Sequence, residues 1–484
     1  MRLLSQCRME TRSVFRNLSP LDHRYYDANA EAFTELADYL SEDAAVRYCT
    51  RVEAALLRRH LEERGLLTTS IAATVDGLES AVSSDDVYEE ERITRHNVRA
   101  LVRVIKRHLP PQAASLVHVG ATSVDILDTA NALRYRDAVR CVILPRLLRL
   151  ERLLINLASQ HAATLQVGRT HGQHGVPITF GFAIAEYVSR LGKSIEEISR
   201  RSLETRGKLA GAVGAYNSLS LLVRDPLAFE ASTLETLGLM PSDHSTQMVE
   251  PEYLLRLLLE LNVAFGIIAN LADDLRNLQR TEIDEIRELF TSDQVGSSTM
   301  PQKRNPWNSE HVKSLWKAFA PRVTTFFLDQ ISEHQRDLTN SASGRFVVDY
   351  FAGMLAALER MNTVVETLHV DGQRMRENLH LTGDLVLAEA AYTLLATAGR
   401  ADAHEDLRTA TIEAQESASS LATVLRRRAE LWNELDAALR RVGADPQRFF
   451  EDPGSYTGCA SERARSLAGE YADRMNKVEE DLKR

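Results

Sequence analysis

The stretch LPRLLRLERLLINLA, residues 144–158, limits what this chain can fold into more than any other. Leu144, Leu147, Leu150, Leu154 and Leu157 recur at steps of three and four, which places them on one face of a helix. Leu148, Leu153 and Ile155 widen the apolar surface beyond one stripe. A helix that is apolar on several sides has to be wrapped by several neighbours. LLRLLLELNVAFGIIANL, residues 254–271, reads the same way after Pro251, a residue suited to a first helical turn. Arg256, Glu260, Asn262 and Asn270 interrupt it, so it reads as a buried helix and not as a membrane span. Residues 180–198, 307–328 and 347–368 continue the pattern. The periodicity predicts a bundle of about five long helices in the middle third. Their apolar sides call for more partners than one chain supplies, hence an oligomer.

A chain of 484 residues exceeds one simple core and suits two or three domains. Aromatics are 6% and prolines only 13, while Leu, Ala, Arg and Glu abound, which favours helix over strand. The net charge is −10, from 58 basic and 68 acidic side chains, which argues against a nucleic-acid binder. Cys7, Cys49, Cys141 and Cys459 are far apart with no CxxC pair, so neither a disulfide framework nor a zinc site is expected. A reducing cytosol is the simplest home. Residues 1–18 carry four arginines and one acid without a clear cleavage site, and read as an N-terminal extension.

Between the helical patterns lie the polar stretches HVGATSVDILD, GRTHGQHGVP, SDHSTQMVEP, GSSTMPQKRNP and RDLTNSASGR. Loops on a rigid scaffold are where function concentrates. His171 can give or take a proton near neutral pH, and Arg169 beside it could hold an anion. The alternative is a loop histidine satisfied by a backbone partner, and His174 reads more readily as packing or capping. Thr122 and Ser123, ahead of Asp125, read first as a helix N-cap. The same hydroxyls and free N–H groups could seat a carboxylate or phosphate. In the fourth stretch Gly296 can hinge a loop and Lys303 and Arg304 bring positive charge. Its serines could act as a base only inside a closed, cationic, water-poor site. Read by itself, the stretch is a flexible Ser-rich loop before a helix starting near Pro306.

Together the stretches are more specific than any one. GSSTMPQKRNP closely resembles the GSSxMPxKxNP loop of the fumarase/aspartase superfamily. GRTHGQHG and HVGATSVDILDTA resemble its other two signature regions, in the expected order. SPLDHRYYD, TRHNV, STQMVEP and RDLTNSASGR resemble stretches of the adenylosuccinate lyase family within it, and the similarity spans residues 19–475. The resemblance implies an all-α fold of three mostly helical domains after the extension at 1–18: 19–125, 126–375 and 376–484. It implies a homotetramer whose central long-helix bundles form one helical core, with each active site shared by three subunits.

It also implies anti β-elimination with release of fumarate, from adenylosuccinate to give AMP and from the carboxamide ribotide SAICAR to give AICAR. Ser297 would be the base and His171 the acid, with Glu310 orienting His171. Lys303 and Asn305 would hold the charge of the aci-carboxylate, and Ser298 would add hydrogen bonds. Arg24 and Tyr25 would hold the nucleotide phosphate, and Arg336, Ser341 and Arg345 further phosphate and ribose atoms. Arg95, His96 and Asn97 match a second nucleotide-contacting stretch. Thr122 and Ser123 would seat the succinyl carboxylate, with His118 and Gln247 completing the substrate contacts. The expected ligand is a small-molecule nucleotide, with no cofactor, metal, nucleic acid or membrane, and a cytoplasmic location. The chain departs from the pattern at Asn97, where an aspartate is usual, at His23 for glycine, and at Gln302 for His or Tyr. Those departures leave room for a sister lyase, argininosuccinate lyase-like or of altered substrate. Other classes are a non-catalytic scaffold and a regulator that binds AMP without turnover.

Overall fold

The computed structural model describes residues 13–290, 296–336 and 339–483. Residues 1–12 of the extension, and 337–338 of RDLTNSASGR, lie outside that set. The fold is helical throughout, with three two-stranded sheets among the described residues.

The leucine-rich segment forms the helix Leu144–Gln160, with Leu144, Leu147, Leu150 and Leu154 fully buried. It is packed by Phe180–Ser202, Val347–Glu366 and the last helix, Ala460–Leu482. It continues Ser123–Ala138 through one wide π turn, Val139–Ile143. Pro145 explains the wide turn: it has no N–H to donate to the Cys141 carbonyl, and its ring presses on that carbonyl.

Glu252–Leu278 is the longest helix among the described residues, at 27 residues. By length and hydropathy it could cross a membrane, yet 56% of its apolar window is buried inside the fold. Leu259 and Val263, four residues apart, keep 37% and 51% of their surface exposed on one face. The expected helix over 307–328 is two helices, Trp307–Phe319 and Arg322–Leu328. Pro321 breaks it, having no amide to continue the ladder. Gly353 lets Trp307–Phe319 lie close, because a Cβ there would collide with the Phe319 ring.

Two further cores flank the bundle. One joins residues between Ala44 and Leu133 with Leu209, Leu219, Phe229, Leu234 and Leu239. The other runs from Leu379 to Phe450 and takes in Val167. The sequence pattern ends the C-terminal part in small helices near DPGSYTG. Instead a 23-residue helix, Ala460–Leu482, follows and returns to the bundle.

Candidate active site

GRTHGQHGVP is a β-hairpin and not a bare loop: Leu165–Thr170 pairs antiparallel with Gln173–Thr179. Thr170 faces Gln173, so His171 and Gly172 are the whole turn, at φ +53° and +74°. Positive φ at both positions is the type I′ geometry that matches strand twist. Glycine meets it freely, whereas histidine in the left-handed region costs about 1 kcal/mol. The strain holds the exposed His171 ring at the tip of a stiff element.

Arg169 does not wait there for an anion, as the sequence suggested. Its guanidinium binds Glu285 at 2.5 and 3.1 Å, and Glu285 is fully buried. Gln166 and Asn378 donate to the same carboxylate at 2.8 and 2.9 Å, which braces the hairpin from below. His174 is half-buried, and burial, then the Arg169 charge, push its pKa down; Glu285 opposes this.

HVGATSVD ends as the N-terminus of Ser123–Ala138 with Thr122 at the cap. The Thr122 amide donates to Asp125 Oδ2 at 2.6 Å. Asp125 is fully buried and also receives the amides of Ala210 and Gly211 and the ammonium of Lys208, itself fully buried. This knot ties the Thr122–Ser123 loop to a distant segment, and the sequence reading missed Lys208. His118 sits at φ +65° with Nδ1 2.6 Å from Oε1 of buried Glu53. Burial disfavours the charged ring, yet the hydrogen bond and charge of Glu53 outweigh it and raise the His118 pKa.

Arg95, His96 and Asn97 turn the corner into the helix Asn97–Arg107, with Arg95 at φ +53°. His96 Nδ1 accepts from the Arg99 amide at 3.3 Å, and its Nε2 lies 3.5 Å from Ser123 Oγ. Asn97 Oδ1 accepts from the next amide, Val98, at 2.8 Å. The structure therefore brings His96 to Ser123. It also brings Arg336 to Gln247, with Nη1 3.3 Å from Oε1. Beside them Asp128 accepts from the Val249 amide at 3.0 Å, and desolvation raises its pKa to about 6.

GSSTMPQKRNP closes on itself. Asn305 Nδ2 donates to the Gly296 carbonyl at 3.0 Å. A Cβ on Gly296 would run into the Lys303 carbonyl, so the closure requires glycine. Ser297 Oγ accepts from the amides of Thr299 and Met300 at 3.3 and 3.1 Å. Two N–H dipoles aimed at this oxygen favour its deprotonated form. Ser298, Gln302 and Lys303 are exposed, and Lys303 has no ion-pair partner among the described residues. Glu310 is exposed on the first turn of Trp307–Phe319. Arg24, Ser341 and Arg345 are exposed too, while Tyr25 is half-buried with its hydroxyl 3.0 Å from His311 Nε2.

Within one chain, among the described residues, no hydrogen bond or ion pair joins His171 to Ser297 or Glu310. No group of three His, Cys, Asp or Glu side chains among them could hold a metal ion.

A lyase family model matches residues 23–318, and a model of the adenylosuccinate lyase C-terminal region matches residues 332–447. The chain is 32% identical over 467 residues to an adenylosuccinate lyase of Pyrococcus horikoshii, covering 95% of this chain and 98% of that one. It is also 32% identical to that of Archaeoglobus fulgidus, over 92% and 96% of the two chains. Among solved structures it is similar to a fumarate lyase from Mesorhizobium sp. BNC1, at TM-score 0.77 and 26% identity over 90% of this chain and 97% of that one. A 3-carboxy-cis,cis-muconate lactonizing enzyme from Pseudomonas putida gives TM-score 0.75 and 26% identity, over 91% and 97%.

Proposed function

The chain belongs to the adenylosuccinate lyase family of the fumarase/aspartase superfamily, and from that membership we propose that it cleaves adenylosuccinate to AMP and fumarate, and SAICAR to AICAR and fumarate. The observation that carries the reading is the Ser297 loop. Its Oγ has two amides aimed at it, and the exposed Lys303 beside it lacks a counter-ion among the described residues.

The chemistry then runs as follows. Ser297, as the alkoxide, takes the proton from the succinyl carbon next to a carboxylate. The electron pair left on carbon is delocalised into that carboxylate, where Lys303 meets the developing charge. The C–N bond breaks as His171 gives its proton to the departing nitrogen, so the base gains one proton and the acid loses one. Asn305 is engaged with Gly296 in this conformation, so its contact with the carboxylate requires that bond to be exchanged as the loop closes over substrate. Thr122 and Ser123, at a helix N-terminus braced by Asp125, suit the second carboxylate. His96, 3.5 Å from Ser123, and His118, Gln247 and Arg336 would complete the contacts to the substrate, while Arg24 and Tyr25 would take the phosphate, with Ser341 and Arg345 on phosphate and ribose.

His171 on a hairpin turn, Ser297 in its loop and Glu310 on a helix share no hydrogen bond or ion pair within one chain among the described residues, which supports a site completed by other copies, in a homotetramer built on the bundle. The exposed Leu259 and Val263 face suits that contact. A cytoplasmic location fits the reading. A sister lyase of altered substrate is the second reading, favoured by Asn97, whose carbonyl is spent on Val98.

Mixing purified protein with adenylosuccinate and following AMP and fumarate tests the proposal. Rapid conversion is expected. A folded oligomer that leaves adenylosuccinate intact but releases fumarate from another succinyl-amine would replace this reading with the second.

A further inference from the structure

The helix Trp307–Phe319 carries His311 one turn beyond the Ser297 loop, and no signature motif includes it. Its Nε2 is 3.0 Å from the hydroxyl of Tyr25, and the two rings lie 5.8 Å apart. Arg360, on Val347–Glu366, reaches the same place: its guanidinium stacks over Trp307 at 4.7 Å and donates to Asn308 Oδ1 at 2.6 Å. Arg360 Nε is buried and has no hydrogen-bond partner. Neither Arg24 nor Arg360 forms an ion pair among the described residues. Glu288, whose charge acts on Arg360, is committed to the Asn308 and Ser309 amides and the Ser309 hydroxyl, and of the two acids on the cavity beside Arg360, Glu359 is paired with Arg146 and Glu31 is exposed. Arg360 and Asn308 also line a cavity of about 480 Å³.

Three basic side chains and a phenol thus meet, and none of the three is ion-paired with an acid among the described residues. Desolvation, then the charges of Arg360 and Arg24, hold the pKa of His311 below its ordinary value. The other charged groups near this helix do not offset them. Asp273, on Glu252–Leu278, is paired with Lys313 and Arg276, and Glu310 on its own helix is exposed.

We propose that His311 and Arg360 extend the phosphate subsite assigned above to Arg24 and Tyr25, and that His311 takes up a proton when a nucleotide's phosphate dianion binds. This rests on the reading of the chain as a nucleotide-cleaving lyase. The neutral ring, protonated on Nδ1, accepts the Tyr25 O–H at Nε2. A dianion beside Arg24 and Arg360 cancels the repulsion that kept the ring neutral. The ring then takes a solvent proton at Nε2 and donates to the Tyr25 oxygen. The phenol O–H is released to donate to a phosphate oxygen. His311 is a positioning residue in this scheme, acting through Tyr25.

Calorimetry of AMP binding to the assembled protein tests it at about pH 7.5, where the phosphate, with second pKa about 6, is already dianionic. Titrations in buffers of differing ionisation enthalpy read the protons taken up. The wild type should take up roughly half a proton or more per site. His311→Gln should take up none and bind AMP about tenfold more weakly, the loss of one charge-assisted hydrogen bond. His311→Arg should take up none yet keep the affinity, which a merely structural role would not predict. AMP binding with equal uptake in wild type and His311→Gln would overturn the proposal alone. A wild type that does not bind AMP would overturn the functional reading and this proposal with it.

Discussion

At the scale of single residues, motifs single out candidate side chains but not the partners that hold them. Arg169 reads in sequence as a free cation next to His171. In space it is tied to Glu285, 116 residues on. Lys208 gave no sequence signal at all, because a lysine between apolar neighbours looks like a surface residue until Asp125 is placed against it. Glu151 is a third case. It sits in the leucine-rich helix, fully buried, with neither carboxylate oxygen hydrogen-bonded. Burial pushes its pKa well above the ordinary glutamate value, against a weaker opposing pull from Arg474. A raised folded-state pKa means that the native state holds more protons than the unfolded one. Stability is therefore greatest below the unfolded glutamate pKa and falls as pH rises towards the folded value. Glu151→Gln should remove that part of the slope and melt higher than the wild type at neutral and alkaline pH. Melting curves compared between acid and neutral pH check this; parallel profiles for both proteins would contradict it.

At the scale of elements, long periodic helices were read well because burial imposes the period directly. Leu144–Gln160 and Glu252–Leu278 show it. The final helix escaped because its buried stripe starts with Ala460, Ala464 and Ala468, residues too small to give a strong apolar signal. The hairpin escaped because its turn is His171–Gly172 in place of the usual Asn–Gly, so strand pairing was hidden behind a polar motif. Where loops join elements, buried charge does the fixing. Lys208→Met leaves Asp125 without its cation beneath the Thr122–Ser123 loop. Removing one partner of such a pair costs about 3–5 kcal/mol. Denaturant unfolding should show that loss, and KM for a succinyl substrate should rise in whatever protein remains folded. Unchanged stability and KM would remove the knot from the account.

At the scale of the whole molecule, the motifs implied what the single chain supports only indirectly: a site made from several copies. The sequence period demanded partners for helices apolar on many sides, and the fold buries most of those sides internally. The face of Leu259 and Val263 is left over. Which loops meet across it depends on symmetry, which no local pattern encodes. Ser297→Ala and His171→Ala each remove a proton-transfer group and should each lower turnover by at least about 10²-fold. The most direct measurement mixes those two inactive variants, unfolds and refolds them together, and assays fumarate release from adenylosuccinate. Sites that draw His171 and Ser297 from different chains predict that activity returns in the mixture while each variant refolded alone stays inactive. A mixture as inactive as its parents, with mixed oligomers demonstrated, would contradict the shared site.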